Sequence, residues 1–188
     1  MIFERKFLKK FKDVFTEHNQ LPTATIGRDF QLSDSRSFKM FLELKRVDMD
    51  YHFLFGEWHK QDFEGYGFKV IKPLGKEDSH HLYEGFFLNE RLNGIGRMIS
   101  KGCLYEGGFK NEMFEGFGYH KDRQNEAIGE FQKDSLTGHG VLATSEATLA
   151  GEFKQWNLHG FGEIRYRDGT RWAGEWLNGP TGLGVMTL

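Results

Sequence analysis

Residues 105–118 read YEGGFKNEMFEGFG and residues 149–162 read LAGEFKQWNLHGFG. Each has a leading glycine (Gly107, Gly151), a phenylalanine two residues later (Phe109, Phe153), a polar run and a closing Gly-x-Gly. Working outward, four further copies appear: LFGEWHKQDFEGYG from Leu54, YEGFFLNERLNGIG from Tyr83, AIGEFQKDSLTGHG from Ala127 and WAGEWLNGPTGLG from Trp172. The leading glycines Gly56, Gly85, Gly107, Gly129, Gly151 and Gly174 step by 29, 22, 22, 22 and 23 residues. A period held this closely marks an internal structural repeat. Within a copy, Tyr83, Gly85 and Phe87 share one side of an extended chain while Glu84 and Phe86 take the other, the alternation of a strand. A second strand carries the Gly-x-Gly, and a polar loop of about five residues joins the two, which gives six β-hairpins.

Glycine inside strands weakens them unless something packs onto the bare backbone. The chain has 24 glycines in 188 residues and 19 phenylalanines, so the packing partner is aromatic. A ring from a neighbouring strand can lie over an unsubstituted Cα and fill the gap. Trp58, Phe109, Phe131, Phe153 and Trp176 stand two residues after their glycines, and each such ring buries roughly 150–250 Å².

The tandem Tyr-x-Gly-x-Trp/Phe unit closed by Gly-x-Gly resembles the MORN (membrane occupation and recognition nexus) repeat, over about 135 residues. The resemblance implies a mainly β fold over residues 51–188: an elongated, single-layer antiparallel sheet of stacked hairpins with an aromatic groove, twelve strands spanning roughly 58 Å. Copies in such an array contact mainly their neighbours, and the final strand offers an edge for pairing. Proteins similar to this one recur in cilia and flagella, including radial spokes, and in membrane-junction or organelle assemblies. The expected role is therefore a non-catalytic scaffold bound to other subunits of a large complex, in the cytoplasm or cytoskeleton. The residues expected to meet partners are Trp58, Tyr83, Phe87, Tyr105, Phe109, Phe131, Phe153, Trp172 and Trp176. The family name also suggests acidic phospholipids as an alternative ligand.

Residues 1–20 read as an amphipathic helix. At 100° per residue, Phe3, Phe7, Leu8, Phe11, Val14 and Phe15 occupy one arc, with Arg5, Lys6, Lys9, Lys10 and Lys12 opposite. Three uses compete: Phe3, Phe7 and Phe11 dock on this sheet or on a partner, the basic face lies on an anionic membrane, or the helix is an uncleaved mitochondrial targeting element of an accessory subunit. Residues 21–50 connect it to the repeats. Phe38, Met40, Leu42 and Leu44 alternate as a capping strand would, although Ser33 and Asp34 could also start a helix.

Charge and chemistry exclude several classes. Lys+Arg number 25 against 27 Asp+Glu; residues 1–50 carry 10 basic and 8 acidic groups, leaving 15 and 19 for residues 51–188, a net of −4. That balance argues against a nucleic-acid binder and against membrane binding by the repeats. Cys103 is the single cysteine, so no internal disulfide or cysteine-based zinc site is expected, and an intracellular protein is favoured. His80 and His81 lack ligands at metal spacing, and the glycine pairs lack the Lys-Ser/Thr or the helix of a phosphate loop. Glu57, Glu130, Glu152 and Glu175 share one strand position and read as a solvated ladder. No cofactor, metal or small-molecule substrate is expected, and no enzymatic activity.

Overall fold

The computed structural model describes residues 43–47, 50–59, 62–73, 80–177 and 180–187, all within one compact unit, Arg36–Leu188. The amphipathic segment with Phe3, Phe7, Phe11, Arg5, Lys6, Lys9, Lys10 and Lys12 lies outside the described residues, as does most of the connector. The described part is all β. Its strands are β1 (Glu43–Val47), β2 (Asp50–His59), β3 (Asp62–Pro73), β4 (His81–Leu88), β5 (Arg91–Ser100), β6 (Cys103–Lys110) and β7 (Met113–Lys121). They continue with β8 (Glu126–Gln132), β9 (Ser135–Ala143), β10 (Ala147–Lys154), β11 (Asn157–Tyr166), β12 (Arg171–Leu177) and β13 (Pro180–Thr187). These form one open antiparallel sheet in strict sequence order. The six repeat copies are the hairpins β2–β3 through β12–β13, and β1 pairs with β2 ahead of them.

A single row of glycines crosses the sheet from β2 to β13. Gly56 faces Gly67, Gly67 faces Gly85, and the pairing continues through Gly96, Gly107, Gly118, Gly129, Gly140, Gly151, Gly162 and Gly174 to Gly184. The reason is steric at both ends of each pair. A methyl on Gly107 would fall 2.5 Å from the Gly118 Cα, and one on Gly118 would fall 2.3 Å from the Tyr105 hydroxyl oxygen. Tyr105 is completely buried and stacks on Phe114 with ring centroids 3.7 Å apart. At the far end Trp172 lies as closely over Gly184.

The aromatic covering expected from the sequence holds at those two places and at Gly56, where a methyl would lie 3.1 Å from the buried Phe63 ring, and differs at three others. Over Gly96, Gly140 and Gly162 the nearest side chains are Leu92, Leu136 and Leu158, the apolar residues that follow each turn. Copies four and five carry Ala127 and Leu149 where copy three has Tyr105, so no ring is available there and leucine methyls fill the gap; in copy two Tyr83 holds that position, yet Leu92 is the side chain over Gly96. The rings two residues after the leading glycines instead pair across the hairpins: Phe87 with Leu92, Phe109 with Phe114, Phe131 with Leu136 and Phe153 with Leu158. These residues are all buried and form one continuous core along the glycine-bearing face.

The loops are also shorter than the five residues expected. Four successive hairpins close on two residues with positive φ, Asn89–Glu90, Asn111–Glu112, Lys133–Asp134 and Gln155–Trp156, the geometry of a type I′ turn. The polar residues after each turn extend the ladder because a bulge absorbs the surplus. Between the pairs Gly85/Gly96 and Phe87/Leu92, Phe86 alone faces Asn93, Gly94 and Ile95. Gly94 supplies the required bend with φ 85°.

Each turn is fastened to the hairpin before it. The amides of Glu90, Glu112, Asp134 and Trp156 donate to the carbonyls of Phe63, Leu92, Phe114 and Leu136 at 3.2, 2.9, 3.2 and 3.0 Å. Copies two apart also touch. The buried Lys69 ammonium on β3 donates to Glu112 Oε1 at 2.6 Å and to the Glu90 carbonyl at 3.1 Å. His120, at the same place in copy three, meets Trp156 edge-on at 5.1 Å.

Candidate interaction surface

Strand alternation divides the side chains between two faces, and the aromatic residues singled out in the sequence occupy the glycine-bearing one. Phe87, Tyr105, Phe109, Phe131, Phe153 and Trp176 are buried there, with Tyr83 and Trp172 packed half-buried against them. Trp172 and Trp176 meet edge-to-face at 4.6 Å, and Trp176 Nε1 donates to the Gly162 carbonyl at 3.0 Å. Burial, with the charges of Glu112 and Asp134, pushes the Tyr83 phenol up to about 12, so it stays protonated. Trp58 stands opposite Phe63 in the ladder, its side chain outside the described set. The structure thus gathers the eight others into one packed cluster that serves the core.

The opposite face presents different aromatic residues to water. The middle residue of Gly-x-Gly points away from the glycine row, so Ile95, Phe117 and Phe161 are 71%, 67% and 70% exposed. Phe86, the bulge residue of copy two, is exposed beside them. Cross-strand register sets these positions in one row: Tyr66 faces Phe86, Ile95 faces Gly108, Phe117 faces Glu130, His139 faces Glu152 and Phe161 faces Glu175. Next to this row Ile128 and Val141 form an exposed cross-strand pair. Glu130, Glu152 and Glu175 therefore alternate with His139 and Phe161 rather than standing as a ladder of acids alone. The sequence carried a signal for this stripe, since an apolar or aromatic residue recurs at the centre of Gly-x-Gly with parity opposite to the glycines.

The same face holds a polar cluster nearer β3. Tyr66 donates its hydroxyl to Glu84 Oε1 at 2.6 Å, Arg97 pairs with Glu84, and its other guanidinium nitrogen lies 3.6 Å from Glu106. Burial first, then the Glu84 carboxylate, raises the Tyr66 phenol to about 12. Arg97 is thus shared between two carboxylates, and the Tyr66 hydroxyl supplies a further hydrogen bond to Glu84, which ties β3, β4, β5 and β6 together.

Cys103 Sγ and His120 Nε2 lie 3.5 Å apart, within reach of a thiol–imidazole contact. Burial, with Asp122, raises the Cys103 thiol, and burial lowers the His120 imidazole despite Asp122 opposing it. Both shifts favour the neutral pair over the thiolate–imidazolium form a nucleophile requires. Among the described residues no three His, Cys, Asp or Glu side chains converge as a metal site would need. A small open cavity lined by Thr144, Ala147, Thr148, Arg165, Tyr166 and Arg167 lies at one end of β10 and β11. No described helix is long and apolar enough to cross a membrane. No protein-family model matches the chain, and comparison with the curated proteins finds no match.

Proposed function

We propose that this chain is a non-catalytic scaffold, a rigid repeat sheet that holds another polypeptide as a subunit of a larger protein assembly. One observation carries the reading: Phe117 and Phe161 stand about two-thirds exposed on interior strands whose backbones are paired on both sides. Burial of such rings under a partner would stabilise the assembly by roughly 25 cal/mol per Å² of apolar area removed from water, and large aromatic side chains are enriched where proteins meet. The neutral Cys103–His120 pair and the hydrogen-bonded Tyr66–Glu84–Arg97 cluster support a structural chemistry rather than a reactive one. The MORN-like repeat supports the same reading and its setting, a fixed component of a cilium- or flagellum-type cytoskeletal assembly. Native-size fractionation of cell extract tests it: the chain should elute with other polypeptides at fixed stoichiometry, and elution as a free monomer at its natural abundance refutes it.

A further inference from the structure

Resting on that reading, we infer that the outward row across β7 to β12 receives a basic amphipathic helix of a partner protein, laid across the strands. The argument begins with what alternates along the row. Phe117 and Phe161 supply apolar area, the exposed Ile128–Val141 pair lies beside them, and Glu130 and Glu152 stand between them. Other acids of this face have basic neighbours: Glu163 pairs with Arg165 at 3.1 Å and Arg171 at 3.3 Å, and Glu84 with Arg97. Among the described residues Glu130 and Glu152 form no salt bridge. Their carboxylates sit over the bulge glycines, where a methyl on Gly138 or Gly160 would be 2.6 Å from Glu130 or Glu152 Oε2. Two negative charges, with the exposed His139 of β9 between them, are thus placed at repeating positions in a row flanked by Phe117 and Phe161, and the complementary ligand carries two positive charges at the same interval.

Strand spacing sets that interval. Glu130 on β8 and Glu152 on β10 are two strands apart, about 10 Å at roughly 4.8 Å per strand. An α-helix rises 1.5 Å per residue, so about seven residues cover that distance. Lysine or arginine at i and i+7 meets both carboxylates; apolar residues at about i+3 and i+4 lie over β9 near Val141, and those at about i−3 and i+10 reach β7 and β11, where Phe117 and Phe161 stand. Secondary structure follows from hydrogen bonding. Strands β8 to β11 already use their backbone groups on both sides, so an extended segment laid on this face would bury peptide groups without partners, whereas a helix satisfies its own.

The test uses the full chain and two synthetic 21-residue amphipathic peptides, identical in their leucine stripe, one with lysine and one with glutamate at every seventh position beside it. Fluorescence anisotropy should show the lysine peptide binding at least about tenfold more tightly than the glutamate peptide. Phe117→Ser with Phe161→Ser should weaken it by about tenfold or more, while Glu130→Lys with Glu152→Lys should reverse the preference between the peptides. These side chains face water, and circular dichroism verifies that each variant keeps the sheet. Equal affinity for both peptides, or binding indifferent to both pairs of substitutions, overturns the inference. If that result comes with co-fractionation in an assembly, the partner's chemistry is wrong and the scaffold reading stands; with a free monomer in extract, both fall.

Discussion

Gly116 and Gly118 stand two residues apart on β7, and the structure predicts opposite reasons for the cost of alanine at each. A methyl on Gly118 would lie 2.3 Å from the Tyr105 hydroxyl oxygen and 2.5 Å from the ring carbon that bears it. The ring cannot step aside, because it stacks on Phe114 at 3.7 Å and meets Phe109 and Phe131 edge-on at 5.1 Å each. Overpacking of this kind costs about 1–3 kcal/mol, and disturbing the aromatic contacts adds about 0.5–1.5 kcal/mol. Gly118→Ala should therefore destabilise by about 2–4 kcal/mol. At Gly116 an added methyl would meet nothing within 4 Å, and only the left-handed backbone, φ 83°, opposes it, at roughly 1–2 kcal/mol. Urea unfolding of both variants, of Tyr105→Ala and of the two double variants separates the mechanisms. Without the Tyr105 ring, Gly118→Ala should cost less than about 1 kcal/mol, a coupling of at least about 1 kcal/mol, while Gly116→Ala adds independently. A cost at Gly118 unchanged by removing the ring would refute the steric account of the glycine row.

Three further outcomes follow from contacts between copies. Glu112→Gln leaves the buried Lys69 ammonium without its counter-charge and should cost about 2–4 kcal/mol, less than a fully buried pair because Glu112 is partly exposed. Adding Lys69→Met, the residue type at the equivalent Met98, should recover most of that loss; a double variant as unstable as the single one would contradict the assignment. Burial holds the His120 imidazole below its ordinary value of 6.5, so the unfolded chain takes up this proton more readily than the folded one. Its contribution is complete above about pH 6.5 and declines as the pH falls towards the lowered folded value. His120→Met should flatten the unfolding midpoint between about pH 7 and 5, and parallel profiles for variant and parent would argue against it. Lys133 holds φ 49° at the first position of a type I′ turn, where asparagine is preferred, so Lys133→Asn should stabilise by about 0.5–1 kcal/mol in the same unfolding assay.

The hairpin count and the face of the core were legible because glycine spacing and strand parity are local properties. Gly85 and Phe87 could be assigned to one side of a strand without knowing their neighbours. The two-residue turns were not legible, since Asn-Glu, Lys-Asp and Gln-Trp lack the glycine that usually announces a type I′ turn. Their left-handed residues are held by tertiary bonds such as Glu112 N to Leu92 O at 2.9 Å. What covers each glycine was also hidden, because Leu92, Leu136 and Leu158 arrive from across the hairpin. A recurring apolar residue two positions before Gly-x-Gly marked them in retrospect. The sequence reading assigned partner contact to the rings that pack the core, such as Phe109 and Phe131, because aromatic content alone does not say which face a partner sees. The middle residues of Gly-x-Gly, Phe117 and Phe161 among them, supply the exposed stripe instead.

Photo-crosslinking in living cells puts the scaffold account to its most direct test. With a photoreactive phenylalanine analogue at position 117 or 161, irradiation should join the chain to another polypeptide; at position 109 or 131, inside the packed face, it should yield none. Adducts from 109 and 131 but not from 117 and 161 would place the partner on the other side of the sheet and contradict the account.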